Sequence, residues 1–177
     1  MEQVSSNRRI AKNTLFLYIR MLFVMAVTLY TSRLVLDALG IEDYGLYNVV
    51  GGIVSIFAII NGALSSGSSR FITFELGRGD KERLGKTFSA SFIIHTVIAF
   101  IVFVLAETIG LWYVNNVLVV PEGRLVVANW LYQFSVLTCM LALTQVPYSA
   151  CIIAHEEMNI YAFVGIAEAV FKLLMVL

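Results

Sequence analysis

Positively charged side chains inside or beside long apolar segments are the residues of this sequence best suited to binding chemistry. Arg33 and Lys172 lie within such segments, and Arg70 follows a serine-rich stretch near the end of another. A cation at these depths attracts anions, and arginine pairs with phosphate through two parallel hydrogen bonds. We therefore interpret Arg33, Arg70 and Lys172 as candidate binding residues for an anionic substrate. For Arg33 and Arg70, the alternative is that the side chains extend to the lipid headgroups and serve as anchors.

Arg20 is a fourth cation of this kind, about 8 Å from the start of the first apolar segment at 1.5 Å per residue. Two interpretations of Arg20 stay open. Its long side chain extends to the headgroups, or it lines a cavity that holds an anionic substrate.

Glu168 and Lys172 are four residues apart in the last apolar segment, in the order that favours a helical ion pair. They lie roughly 12 and 18 Å into that segment, near the middle of a membrane. Charges at this depth are difficult to place against lipid. We expect the pair to face a watery cavity, and the alternative is a neutralised pair buried between helices.

Neutral polar side chains follow one side of the fourth segment. Asn129 and Gln133 are one turn apart, and Thr144 is about three turns further along the same side. These groups suit either a polar cavity that accepts sugar hydroxyls or hydrogen bonds between helices. The third segment contains His95 and Glu107, which are too far apart in the helix to interact. We interpret His95 as a hydrogen-bonded core residue or a titrating group, and Glu107 as an interfacial residue.

The composition is that of a membrane protein. The 177 residues are 59% hydrophobic and 14% charged, with 12 basic and 12 acidic side chains, whereas soluble domains are near 25% charged. A chain this apolar does not stay disordered in water. Nucleic-acid binding is not expected, because it requires clustered basic residues. A metal site is not expected either, since two cysteines and two histidines occur without metal-ligand spacing.

The apolar segments predict an all-α membrane protein that is one continuous helical unit. A spanning helix requires about 20 apolar residues. Five segments meet this length, and the second is expected to be kinked at its serine cluster near residues 65–69. The predicted helices cover residues 15–36, 47–76, 88–109, 126–147 and 160–177.

The distribution of Lys and Arg predicts the orientation. Basic residues are concentrated before the first helix and in the loop 77–86, whereas the loop 110–125 has only Arg124. By the positive-inside rule the N-terminus is cytoplasmic. Because the last apolar segment runs to Leu177 without flanking charges, we expect the sequence to be the N-terminal part of a longer transporter. The alternative is a complete protein of five helices.

Short motifs between residues 14 and 86 carry a resemblance to a known family, and the similarity extends more weakly over most of the chain. These motifs are Leu39 and Gly40, Asp43 to Tyr47, Gly62 to Leu64, Arg70 and Phe71, and Gly79 and Asp80. Through them the sequence resembles the N-terminal portion of bacterial Wzx-type polysaccharide flippases, which belong to the MATE-like multidrug/oligosaccharidyl-lipid/polysaccharide exporter superfamily.

The resemblance implies a function and a location. Members of the family have 12–14 helices in two lobes, and a central cavity between the lobes opens alternately to each side of the bacterial cytoplasmic (inner) membrane. The implied substrate is an oligosaccharide linked to undecaprenyl pyrophosphate, destined for polysaccharides such as the O-antigen of lipopolysaccharide. Cations in the cavity engage the pyrophosphate. Membrane lipids and other polysaccharide-assembly proteins are the implied partners. No cofactor is required, although a proton or sodium gradient is a candidate energy source.

Three other interpretations remain open. An ion-coupled drug or metabolite exporter of the same superfamily would have an acidic cavity, but the first helix contains arginines and no internal Asp or Glu. A membrane enzyme would need clustered catalytic groups, and the cluster His155, Glu156 and Glu157 is better explained as a solvated loop. The third interpretation is a small membrane subunit that does not transport.

Overall fold

The computed structural model describes residues 2–56, 58–121 and 123–177. Within these residues the chain is all-α and has no strand, as the sequence predicts. The side chains of Arg8 and Arg9, which contribute to the predicted orientation, lie outside the described residues. Six helices follow one another, and a π-helical segment, Ala106–Gly110, joins α3 to α4. The helices are α1 (Glu2–Ser55), α2 (Ala58–Arg78), α3 (Lys81–Leu105), α4 (Leu111–Asn116), α5 (Leu125–Ala154) and α6 (Met158–Val176).

Four helical stretches of the described chain are long and apolar enough to cross a membrane: Ala11–Ser55, Lys81–Asn116, Leu125–Ala154 and Met158–Val176. Five were expected. The difference is α2, which is not among these four stretches and contains Arg70, Glu75 and Arg78 in addition to its serine cluster. The result is a membrane-embedded helical protein in which α2 is the most polar of the long helices.

The predicted helix 47–76 is split between α1 and α2, and the split is not at the expected position. Residues 65–69, where a kink was expected, lie inside the regular helix α2, and the break comes earlier, between Ser55 and Ala58. The Ser55 hydroxyl donates to the Gly52 carbonyl oxygen at 2.7 Å, and two adjacent glycines, Gly51 and Gly52, weaken the helix just before its end. By contrast, the α2 serine Ser68 is buried and hydrogen-bonded to α3, so this part of α2 keeps a regular backbone.

Gly40 interrupts α1. Its backbone has φ 76° and ψ 173°, which glycine adopts without a Cβ penalty. The stretch Ala11–Ser55 would be about 68 Å long if it were straight, more than twice the roughly 30 Å of hydrocarbon in a bilayer. The break at Gly40 therefore allows the chain to turn after one crossing.

The sequence suggests one continuous unit, whereas the structure divides into two compact units. The first unit combines the chain up to Gly40 with Ile152–Leu177. Its buried residues on α6 are small: Ala162, Gly165 and Ala169. Their spacing of three and four residues forms one helix face that allows close packing.

The second unit, Ile41–Cys151, contains the larger apolar core. Tyr132 lies fully buried at the centre of this core, and its hydroxyl donates to the Ala106 carbonyl oxygen in the π segment at 2.8 Å. Near the other end of α5, the Tyr148 ring makes edge contacts with Phe88 and Phe92. The core consists mainly of Leu46, Val50, Val54, Ala106, Val114, Ala128, Tyr132 and Val136.

Gly110 is predicted to tolerate no larger residue, because a Cβ atom there would collide with the Tyr132 hydroxyl. Tyr132 is fully buried, and its hydroxyl is held by the bond to the Ala106 carbonyl oxygen. We expect Gly110→Ala to destabilise the protein by about 1–3 kcal/mol through overpacking, although alanine favours helix by about 1 kcal/mol. Thermal unfolding in detergent measures the effect.

Gly52→Ala is the matched control, since Gly52 is exposed and has open space around the position of a Cβ atom. In a double-mutant cycle, the Tyr132→Phe background should reduce the cost of Gly110→Ala. Equal unfolding temperatures for Gly110→Ala and Gly52→Ala would contradict the packing argument.

Candidate functional site

The guanidinium of Arg20 on α1 lies over the face of the Tyr161 ring on α6. Its Cζ atom is 4.3 Å from the ring centroid, well within the distance of a cation–π interaction. Tyr161 is in the first turn of α6, so the contact lies roughly 5 Å along that helix. The guanidinium stacks on the face of the Tyr161 ring, and this stacking restricts the directions in which its N–H groups point.

Gly165 makes this arrangement possible. It lies one turn after Tyr161 on the same side of α6 and is buried. A Cβ atom at position 165 would collide with the Arg20 guanidinium, and the nearest atom is Nε. The absence of a side chain at Gly165 thus provides the space that Arg20 occupies.

Arg20 has no anionic partner among the described residues. Its Nε atom is buried and makes no hydrogen bond within the described chain. Other arginines of the described chain do have carboxylate partners. Arg124 pairs with Asp43 at 3.0 Å, and Arg83 pairs with Asp80 at 3.3 Å. A fixed guanidinium with unused donors is a site for an anion, and phosphate matches its geometry.

An apolar groove of about 450 Å³ lies between α1 and α6 in the same unit, lined by sequence neighbours of Arg20 and Tyr161 but not by Arg20, Tyr161 or Gly165 themselves. It includes Ile19, the neighbour of Arg20, and Ile160, the neighbour of Tyr161. Close by, the Asn13 amide donates to the Glu156 carbonyl oxygen at 3.2 Å, which ties α1 to the turn before α6. A cation beside an apolar groove suits a ligand with an anionic head and a hydrocarbon chain. The lining residues are Phe16, Ile19, Asn159, Ile160, Ala162, Phe163 and Ile166.

The cations selected from the sequence occupy different positions. Arg33 has an 81% exposed side chain and a long ion pair of 3.9 Å with Asp37. Arg70 and Lys172 are exposed, and neither lines the groove beside Arg20. Glu168 is also exposed, and the predicted ion pair between Glu168 and Lys172 does not form among the described residues.

The polar side of α5 makes hydrogen bonds between helices, which is one of the two alternatives that its sequence left open. The Asn129 and Asn115 amides bond to each other reciprocally at 2.9 and 3.1 Å. The Gln133 amide donates to a Glu107 carboxylate oxygen at 3.1 Å. Thr144 bonds to carbonyl oxygens of its own helix. Asn129 and Gln133 therefore join α5 to the neighbouring helical segments.

Glu107, for which an interfacial position stays a prediction, has an unusual environment. It is half-buried in the π segment, and its second carboxylate oxygen, Oε1, is buried without a hydrogen-bond partner in the described chain. Single turns of π-helix are frequent at functional sites. Glu107 is thus a second unusual ionisable group, of opposite charge to Arg20 and in the other unit.

The sequence placed Arg20 correctly in an apolar segment but gave no sign of its surroundings. The sequence feature that could have indicated this site is Tyr161 followed four residues later by Gly165, both on α6. That pair has meaning only once α1 and α6 are known to be neighbours. Comparison of the chain with known protein families, curated protein sequences and solved structures finds no match.

Proposed function

We propose that this chain belongs to a membrane transporter that flips an oligosaccharide linked to undecaprenyl pyrophosphate across the bacterial cytoplasmic membrane. The observation that carries the proposal is the Arg20 guanidinium, fixed by Tyr161 and Gly165 and left without a carboxylate partner in the described chain. The motif resemblance between residues 14 and 86 points to the same function.

An unpaired arginine within a spanning helix has a cost that a bound anion offsets. Intramembrane charges are expensive and usually face a cavity or a partner. Arg20 has neither a described carboxylate partner nor a fully exposed position. A pyrophosphate group supplies several anionic oxygens, and a guanidinium binds two of them at once.

The apolar groove beside Arg20 supports a lipid-linked substrate rather than a free anion. A hydrophilic phosphate compound would gain nothing from Phe16, Ile19 and Phe163. A prenyl chain would cover these side chains while its pyrophosphate contacts Arg20. The glycan would occupy water, because sugar hydroxyls need hydrogen-bond partners.

Exposed charges elsewhere in the spanning helices are consistent with a wet path. Arg33, Glu168 and Lys172 are exposed on α1 and α6. Charges on such faces require water or a protein partner rather than lipid. In the proposed transporter these faces border the central cavity through which the glycan moves, with the N-terminus in the cytoplasm. O-antigen precursors are the expected glycans, and polysaccharide-assembly proteins are the expected partners.

The proposal predicts flipping in proteoliposomes of phosphatidylethanolamine and phosphatidylglycerol. The probe is a fluorescent glycan linked to undecaprenyl pyrophosphate, and dithionite outside the vesicles bleaches only molecules in the outer leaflet. With the whole transporter that contains this chain reconstituted, and with or without an imposed proton or sodium gradient, we expect the inner-leaflet pool to become accessible. Persistence of that pool, as in protein-free vesicles, would contradict the proposal.

An ion-coupled exporter is the second candidate, and Glu107 is the observation that favours it. A half-buried carboxylate with one buried and unpartnered oxygen is suited to hold a proton or sodium ion. In the same vesicles this candidate predicts gradient-driven transport of a cationic dye and no movement of the pyrophosphate lipid.

A further inference from the structure

A second cavity, of about 330 Å³, lies between α2 and α3 in the unit formed by Ile41–Cys151. Most of its lining is apolar, with Leu64, Phe71 and Ile94 as the large residues. Its polar lining includes Ser68, Ser91 and His95. Ligand pockets usually have volumes of about 300–1,000 Å³, apolar walls and a few placed polar groups. This cavity has that size and lining, and it is open at the surface, where Phe71 and Ile94 are exposed.

His95 is the polar group that distinguishes the cavity from a simple packing gap. Its side chain is 1% exposed. The Nδ1 atom lies 2.7 Å from the Ser91 carbonyl oxygen, and because a carbonyl only accepts, Nδ1 carries the hydrogen. With the hydrogen on Nδ1, the neutral form of the ring has its lone pair at Nε2. This atom is buried and has no hydrogen-bond partner in the described chain.

The two serines in the cavity wall are already engaged with each other. The Ser91 hydroxyl donates to the Ser68 hydroxyl oxygen at 2.9 Å, and this bond connects α3 to α2. Nε2 of His95 thus remains the acceptor that lacks a donor. A buried acceptor without a donor costs about 1–3 kcal/mol. A ligand that brings one hydroxyl and is otherwise apolar matches both the acceptor and the walls.

We propose that the α2–α3 cavity binds a compact apolar molecule that carries a single hydroxyl group, with the hydroxyl donating to Nε2 of His95. Size supports a ring-shaped ligand, since an apolar cavity of about 150 Å³ suffices for benzene. The site belongs to the unit that does not contain Arg20, and it does not depend on the proposed transport function. A bound ligand contacts α2 and α3 together, and therefore stabilises the least apolar long helix of the protein against its neighbour.

Binding of 4-fluorophenol and 4-fluorotoluene to the full chain in nanodiscs tests the site. The two probes have nearly the same shape, and only the phenol donates a hydrogen bond. Fluorine NMR gives the affinity of each probe for the protein. Partitioning of the same probe into protein-free nanodiscs is measured separately and used to correct this affinity for binding to lipid. We expect the phenol to bind about three- to tenfold more tightly than the toluene, as one hydrogen bond to a buried acceptor provides.

His95→Leu is expected to reduce this preference to about one. Thr96→Val is the matched control, since Thr96 is the exposed neighbour and its hydroxyl bonds to its own helix at the Phe92 carbonyl. Equal binding of the two probes to the unmodified chain would overturn the proposal and indicate a cavity that holds only water or lipid chains. A preference retained in His95→Leu would also overturn it.

Gly67→Leu provides a test that leaves His95 in place. Gly67 lines the cavity, and there is open space around the position of its Cβ atom, so the leucine side chain can enter without displacing the backbone. We expect it to abolish binding of both probes. Gly62→Leu, in the same helix but outside the cavity lining, should leave binding unchanged. Unchanged phenol binding in Gly67→Leu would place the ligand elsewhere and contradict the assignment.

Discussion

Replacement of Arg20 by glutamine is expected to weaken binding of undecaprenyl pyrophosphate about ten- to a hundredfold and to leave binding of uncharged undecaprenol unchanged. Hydrogen bonds to charged groups contribute about 1.5–3 kcal/mol, and each 1.4 kcal/mol is a factor of ten. Glutamine keeps a polar side chain of moderate length but has no charge. Native mass spectrometry of the protein in nanodiscs measures the two lipids in competition.

Arg78→Gln is the matched control for this experiment. Arg78 also lies over an aromatic ring, that of Phe74 at 5.4 Å, but it has a carboxylate partner, Glu75, at 3.8 Å. We expect its removal to have little effect on pyrophosphate binding. Arg20→Lys should give an intermediate loss, because it keeps the charge and loses the two-pronged geometry. Equal losses in Arg20→Gln and Arg78→Gln would show that surface charge alone attracts the lipid.

Gly165→Ala is expected to reduce pyrophosphate binding roughly five- to a hundredfold although every charge is retained. The new Cβ atom collides with the Arg20 guanidinium, so the side chain must leave the Tyr161 ring. Overpacking costs about 1–3 kcal/mol, which at 1.4 kcal/mol per factor of ten gives this range. The same lipid competition measures the effect, and thermal unfolding reports the stability.

Gly52→Ala serves again as the control, because it gains the helix preference of alanine without a collision. In the Arg20→Gln background, Gly165→Ala should have little further effect on binding, since the two changes act on one interaction. If Gly165→Ala binds the lipid as well as the unmodified chain, Arg20 does not act from its position over Tyr161.

The helices could be predicted because long apolar runs leave few alternatives in a membrane. A backbone surrounded by hydrocarbon must satisfy its own hydrogen bonds, and a run of about 20 apolar residues does so as a helix. The helix ends were harder to predict. Ser65 to Ser69 contain the residue types of a kink, yet Ser68 is stabilised by a bond to Ser91 on α3. A partner on another helix cannot be read from local composition.

The sequence could predict which types of residue form the candidate site, but not which of these residues contact one another. The sequence indicated intramembrane cations and a polar side of α5, and Asn129 and Gln133 do share interhelical contacts. It did not distinguish Arg20, held over Tyr161, from Arg33, whose side chain is 81% exposed. The difference depends on which helix faces which, and Gly165 acquires its role only through the proximity of α1 and α6.

Flipping of the fluorescent pyrophosphate-linked glycan, measured side by side for the whole transporter, Arg20→Gln and Arg78→Gln, tests the central claim most directly. The account predicts that dithionite reaches the inner-leaflet pool with the whole transporter and with Arg78→Gln, and that this pool stays protected with Arg20→Gln. Contradiction would come from a pool that stays protected in all three preparations, or from equal accessibility with and without the Arg20 guanidinium.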